Sequence, residues 1–276
     1  MSFSNLLRLI TPPIFIKLFK IFKTENSKHL IKGPYKTWKE ATINTVGYAD
    51  ERITKKLLNS ANSVNKGDAL FQRDGMLLKE IEYNWPTLCA LLVAQANSTA
   101  NHVLDVGGGF GQTILQNSNY LYIMPGGKVT KYSILEQKEL VELSSSLINQ
   151  NPLIRFYSNL EDIPKDFDIV YFGSSASHIE NIYEILDFLT VVKPKFIIFD
   201  RTPFSTSSHD KFYLEKPPST FYGGASYALR VFSESKFKNQ LIGRMGYKLF
   251  TQWDEDFQPP YPDAKSMGLF FVPATF

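Results

Sequence analysis

The chain has 276 residues, 30 basic against 27 acidic, and one cysteine, Cys89. That length holds one large domain plus an extension, and a formal charge of +3 excludes the concentrated basicity of a dedicated nucleic-acid binder. A single thiol cannot form an internal disulfide, which suits a reducing cytoplasm.

In chain order, residues 1–30 come first, as a basic amphipathic segment. Beyond Pro13, Ile14, Phe15, Leu18, Phe19 and Phe22 fall on one side of a helix and Lys17, Lys20 and Lys23 on the other. The lysines interrupt the apolar run well short of the ~20 residues a membrane span needs, and no cleavage site of a signal peptide follows. Two readings fit: residues 1–23 lie on a membrane surface, or they dock on their own domain.

Residues 31–100 are expected to form a helical extension. Thr37-Trp-Lys-Glu40 has capping-box spacing, and Asp50 can cap a helix whose Ile53, Leu57, Ala61 and Val64 recur on one face. A third helix opens near Pro86, a residue suited to a first helical turn, and runs to Ala96. Cys89 lies in its apolar run and reads as a small buried hydrophobe.

Residues 101–276 alternate apolar runs with helical periodicities, the pattern of a parallel sheet with crossover helices. Strands are predicted over 102–106, 129–135, 154–157, 167–173 and 195–200, with helices over 137–149 and 179–191. After Pro203 comes a long polar, aromatic and proline-rich stretch. A helix over 233–242 and a closing pair of strands over 247–252 and 267–272 complete the chain.

The chemistry is expected at the carboxyl ends of these strands, where doubly wound sheets bind ligands. After the first strand stands Asp105-x-Gly107-x-Gly109-x-Gly111. Gly107 and Gly109 begin a G-x-G-x-x-G pattern, but position 112 is Gln where the nicotinamide-binding form has glycine, and no Gly-Lys-Ser/Thr ending makes a P-loop. The spacing resembles the first motif of Rossmann-like S-adenosylmethionine methyltransferases. Asp105 then fixes the turn or reaches the cofactor, and Gly107, Gly108, Gly109 and Gly111 let backbone pass close to it.

Glu136, with Gln137 beside it, ends the second strand, where a carboxylate can accept from both ribose hydroxyls; a solvated acid at the next helix start reads the same. Asn159 and Leu160 after the third strand offer a polar and apolar mix for an adenine ring. Ser174 and Ser175 follow the fourth, and His178 beyond them is either a base for an acceptor hydroxyl or a helix cap. Asp200 at the end of the fifth can orient or deprotonate an acceptor, and Arg201 can bind an anion; an internal pairing of the two fits equally. The histidines show no metal-ligand spacing, so no metal is expected. Gln258-Pro-Pro-Tyr261 imitates a Pro-Pro-aromatic catalytic tetrad but follows the wrong strand, and reads as a loop.

Several phrases occur together: Glu82-Tyr-Asn-Trp-Pro86, Val103-Leu-Asp-Val-Gly-Gly-Gly109, Leu135-Glu-Gln137 and Phe199-Asp-Arg-Thr-Pro-Phe204. With Gly33-Pro-Tyr-Lys-Thr-Trp38, Gln72-Arg-Asp74 and Pro217-Pro218, they resemble a family of methyltransferases encoded in bacterial surface-polysaccharide and O-antigen gene clusters. The likeness runs from about Gly33 to the C-terminus. It implies a class I methyltransferase fold, a mostly parallel seven-stranded sheet with flanking helices and a helical N-terminal extension, and S-adenosyl-L-methionine as cofactor. The implied acceptor is glycan-related, and with the basic N-terminal segment the expectation becomes a cytoplasmic enzyme at the membrane surface that methylates a sugar, sugar nucleotide or lipid-linked glycan, on oxygen. Asn84, Trp85, Arg73, Asp74 and Tyr222 match recurrent family positions without an assigned role. Arg73 and Tyr222 are carried forward with Arg201 as substrate contacts. Two alternatives stand beside this reading: a non-catalytic cofactor-binding scaffold of a glycan-assembly complex, and a nicotinamide-dependent sugar oxidoreductase.

Overall fold

The computed structural model of the chain describes residues 29–48, 50–99, 101–123, 129–145, 153–218, 224–256 and 259–276. The amphipathic run before His29 and the substrate candidate Tyr222 lie outside the described residues.

Five strands form the parallel centre: β4 (His102–Val106), β5 (Lys131–Leu135), β6 (Ile154–Tyr157), β7 (Ile169–Gly173) and β8 (Phe196–Ser205). Their spatial order is β6-β5-β4-β7-β8. The chain winds outward from β4 to β6, returns, and continues from β7 in the opposite direction. The reversal leaves a crevice between the carboxyl ends of β4 and β7, the switch point at which doubly wound sheets take their ligands. At the far edge β12 (Ala264–Pro273) pairs antiparallel with β8 and with β11 (Tyr247–Asp254), the expected closing hairpin.

Among the described residues the sheet has ten strands rather than the expected seven. The difference arises because β8 does not stop at Asp200. It runs on through Pro203, and its last residues Phe204 and Ser205 pair with β10 (Tyr227–Ser233). β10 pairs antiparallel with β9 (Lys211–Lys216), and β9 with β1 (Leu30–Tyr35). The stretch after Pro203, and the start of the extension, therefore supply a three-stranded flange. Tyr213, Leu229 and Val231 bury one of its faces against Tyr261.

Two apolar layers sandwich the parallel strands, because alternate residues point to opposite faces. Leu104, Val106, Val170, Phe172, Ile197 and Phe199 pack under Ile182, Ile185, Leu186 and Leu189 of α6 (Ile182–Val192) and Phe237 of α7 (Glu234–Asn239). Val103, Ile134, Ile169 and Ile198 meet Leu88, Leu91 and Ala94 of α3 (Trp85–Ala96) on the other face; Cys89 of the same helix is exposed rather than buried, because it falls off the stripe that faces the sheet. Each such fully buried side chain contributes roughly 1.5–3 kcal/mol of transfer free energy.

The extension begins with α1 (Trp38–Thr42) and α2 (Glu51–Asn65), capped as expected by Thr37 and Asp50. Between α2 and α3 it departs from an all-helical course. Phe71–Arg73 (β2) and Met76–Leu78 (β3) form a hairpin around Asp74-Gly75. Ile53, Leu57 and Ala61 of α2 pack on Phe110, on Leu140 of α5 (Lys138–Leu143) and on Ala225, which holds α2 and its hairpin over the carboxyl ends of the sheet.

Candidate functional site

Those carboxyl ends open into one cleft of about 1410 Å³, larger than a single small-molecule pocket of roughly 300–1,000 Å³. One half lies over β4 and β5; the other faces the flange, the hairpin and the loop before β12.

In the first half the turn after β4 is built from close approaches. Gly107 has φ 71°, and a Cβ there would come 2.5 Å from Cβ of Ser175. Ser175 itself donates to the carbonyl of Val106, which ties the β7 loop to the β4 turn. A Cβ on Gly108 would meet the Asp105 carboxylate at 2.5 Å. Asp105 lies directly beneath this turn with no exposed surface. Its Oδ2 accepts from the Tyr132 hydroxyl at 2.7 Å, while Oδ1 is buried with no protein partner. Burial, and then the nearby charge of Glu136, push the Asp105 carboxyl up to about 7.

Glu136 accepts from the backbone N–H of Gly109 at 2.8 Å through Oε1 and from that of Gln137 at 2.9 Å through Oε2. The carboxylate is therefore fixed at the cleft wall with one lone pair on each oxygen still available. Its burial raises the pKa more than these two bonds lower it. Asn159 and Leu160 line the same half, with Asn159 turned onto Asp162 at 3.0 Å. Gly111 is brought elsewhere: it begins α4 (Gln112–Gln116), buried against Ile114, Ile134 and Ile154, and does not line the cleft.

The second half is aromatic. Tyr48 and Tyr227 stack with ring centroids 4.5 Å apart, and the imidazole of His178 sits 5.1 Å from each. His178 occupies a single 3-10 turn, Ala176–His178, and caps no α-helix. Burial holds its pKa below the ordinary histidine range, so the ring is neutral at neutral pH. The Ala228 carbonyl lies 3.4 Å from Nδ1, a geometry that assigns the proton to Nδ1 and the basic lone pair to Nε2.

Asp200 is placed differently from His178. Its side chain is 1% exposed. Oδ1 accepts from Asn84 at 3.0 Å, and Oδ2 from the Tyr171 hydroxyl and from Nε of Arg201, each at 3.0 Å. The same Asn84 amide donates to Glu255 at 3.1 Å. Burial, then the charge of Asp200 and a hydrogen bond with it, push the Glu255 carboxyl up to about 7. Asp200 is thus the anchor of Arg201, whose charged form it strongly favours, and the pairing weighed from the sequence is the arrangement present. Arg201 reaches the cleft, and Arg73 lines it while bonded to Glu82 at 3.1 Å.

Several residues that line or support this cleft carried no assigned role in the sequence reading. Asp74 occupies the hairpin turn with φ 53°, and its charge acts on His178, Arg201 and Tyr227. Asp-Gly between apolar residues is a hairpin signal that could have located it. Glu215, held by Tyr261 and by His29 at 2.6 Å, comes from β9, and no local pattern marks it. The Pro-Pro-aromatic loop is a loop, as its context predicts, and contributes Pro259, Pro260 and Tyr261 to the cleft wall.

No protein-family profile matches the chain, and no curated protein does. Solved structures similar to it include the N-terminal domain of EvdMO1 in the presence of SAH and D-fucose, at TM-score 0.49 and 15% identity over 74% of this chain and 89% of that one. A methyltransferase dependent on S-adenosylmethionine from Clostridium acetobutylicum gives TM-score 0.45 at 13% identity, over 70% of this chain and 93% of that one. The CcbJ methyltransferase from Streptomyces caelestis gives 0.46 at 10% identity, over 79% and 98%. What each of those proteins binds is a property of that protein.

Proposed function

We propose that the chain is an S-adenosylmethionine-dependent methyltransferase that places a methyl group on a hydroxyl of a sugar or glycan. The observation that carries this reading is the turn after β4. A buried carboxylate with an orphaned oxygen, Asp105, lies under glycines whose missing side chains leave a cradle, next to a Glu136 carboxylate oriented by two backbone N–H groups. These residues fit a cationic nucleoside ligand: Glu136 would accept from ribose hydroxyls, and Asp105 would balance positive charge.

The cofactor supplies a methyl group on a sulfonium, activated for in-line displacement. In the net reaction an oxygen–carbon bond forms on the acceptor, the sulfur–carbon bond breaks, and the acceptor proton leaves to a base. His178 is that base, neutral at working pH, with Nε2 available. The stacked Tyr48 and Tyr227 present an aromatic wall for a sugar ring. Alignment of the two ligands in one cleft supplies much of the rate.

Calorimetry of the full-length protein with S-adenosylmethionine tests the cofactor half. A folded protein that binds none removes the reading. Loss of one methyl mass from surface glycan or its lipid-linked precursors in a deletion strain tests the acceptor half. Placement at a membrane surface through residues 1–23 belongs to the same proposal; deleting them is expected to release the protein from anionic vesicles. Among the described residues no helix is long and apolar enough to cross a membrane.

A further inference from the structure

The loop that carries His178 is held at its two ends by different neighbours. It leaves β7 at Ser174, whose N–H donates to the Asp200 carbonyl at 3.0 Å, and Ser175 donates to the carbonyl of Val106. The 3-10 turn closes where the His178 N–H meets the Ser175 carbonyl at 2.8 Å. At the far end the chain enters α6 through Asn181, whose side chain caps no N–H of that helix. Arg230 of β10 holds this end instead: its Nη2 donates to the Glu180 carbonyl at 2.8 Å. Ala228, two residues earlier on the same strand, presents the carbonyl that lies 3.4 Å from Nδ1 of His178. One strand therefore supports both the imidazole and the backbone that follows it.

Arg230 makes its bond from an unfavourable position. The residue is 5% exposed and does not line the cleft. Its guanidinium lies 5.3 to 5.6 Å from the rings of Trp38, Tyr183, Phe212 and Phe232, and Nε comes no nearer than 3.8 Å to Asp210. Nε and Nη1 have no hydrogen-bond partner. A buried charge paired this loosely gives up hydration that it does not regain, and an apolar side chain of similar volume fills such a box as well or better. Packing therefore does not require an arginine. Nor does Asp210, which also accepts from the Tyr183 hydroxyl at 3.0 Å, the Ser233 N–H at 2.9 Å and Lys236 at 3.1 Å. What an apolar residue cannot supply is the N–H aimed at Glu180.

We propose that Arg230, which never touches a ligand, is a positioning residue for His178. By fixing the Glu180 carbonyl it sets the end of the loop, and so keeps Nδ1 of the ring on the Ala228 carbonyl and Nε2 for the acceptor proton. This rests on the reading of His178 as the base of methyl transfer and adds the residue that orients it.

The test uses full-length protein with isotope-labelled histidine, whose ring nitrogens report the tautomer; the His178 signals are those lost in His178→Gln. Above neutral pH the parent ring is expected to be a single tautomer protonated on Nδ1. Arg230→Met keeps a long apolar chain in the aromatic box. It is expected to unfold at no lower urea concentration than the parent and to bind S-adenosylhomocysteine within about twofold of it, yet to mix the two tautomers, so that the two ring-nitrogen signals move together. Arg230→Lys, which retains a donor, is expected to keep the Nδ1-protonated form. A His178 ring unchanged in folded Arg230→Met protein overturns the proposal, as does a parent ring protonated on Nε2. Failure of both variants to fold also overturns it, since Arg230 would then be a structural pin. The reading beneath is judged separately: if S-adenosylhomocysteine does not bind the parent, methyl transfer fails, while the tautomer still reports whether Arg230 sets the ring.

Discussion

The Tyr132 hydroxyl donates to Asp105 at 2.7 Å beneath the glycine turn, and the other oxygen of the same carboxylate has no protein partner. Burial raises this carboxyl from 3.8 to about 7. The folded chain therefore holds a proton that the unfolded carboxyl has lost, and stability declines as pH rises from about 4 to about 7, then levels. The full decline is on the order of 4 kcal/mol at ~1.4 kcal/mol per unit. Asp105→Asn is expected to flatten that part of the stability curve, measured by urea unfolding from pH 4 to 8. A bound cation favours the ionised form, so S-adenosylmethionine binding at pH 7 is expected to release a proton. Calorimetry in buffers of different ionisation enthalpy reads that release directly.

Glu136 is held by the N–H groups of Gly109 and Gln137. Glu136→Gln puts an amide donor where one of those N–H groups now finds an acceptor. Losing a charge-assisted bond of about 2 kcal/mol is expected to weaken S-adenosylmethionine binding tenfold or more. A dissociation constant equal to that of the parent protein would remove Glu136 from the site.

Gly107 combines φ 71° with a Cβ position 2.5 Å from Ser175. Gly107→Ala must displace the β7 loop or strain the turn, at a cost of about 1–3 kcal/mol. Thermal unfolding is expected to show that loss together with weaker cofactor binding.

Asn84 bridges Asp200 and Glu255, and Glu255 is raised from 4.5 to about 7, chiefly by burial. The folded state again holds the extra proton, so this junction weakens between about pH 4.5 and pH 7. Glu255→Gln supplies a permanent donor. It is expected to raise the melting temperature at pH 8.5 and to leave it nearly unchanged at pH 5.

His178 is neutral through burial, so kcat/KM on the true acceptor is expected to stay level above neutrality and fall only in acid. His178→Gln is expected to lower kcat about 100-fold with little change in KM. Unchanged turnover would leave the transfer without a side-chain base at this position.

Much of the fold was legible because its signals are local. The caps at Thr37 and Asp50, the apolar stripe of α6 and the strand ending in Asp105 each reside in a few consecutive residues. The flange was not. β10 is buried along its whole length and shows no alternation, and its place depends on β8 running past Pro203. The prolines and polar residues around it read as loop until a neighbouring strand is present to pair with them.

The same division runs through the site. The sequence by itself determined the glycine turn, Asp105 before it in the strand and Glu136 one strand away, because backbone geometry and strand ends are written in adjacent residues. Only the tertiary structure decided that Asp200 is an anchored carboxylate while Asp74 faces the cleft. Those roles depend on which side chains, 116 residues apart for Asn84 and Asp200, share a buried contact. It also decided that a chain of nearly balanced charge lines its cleft with acids, since charge is conserved along a sequence but is distributed in space by folding.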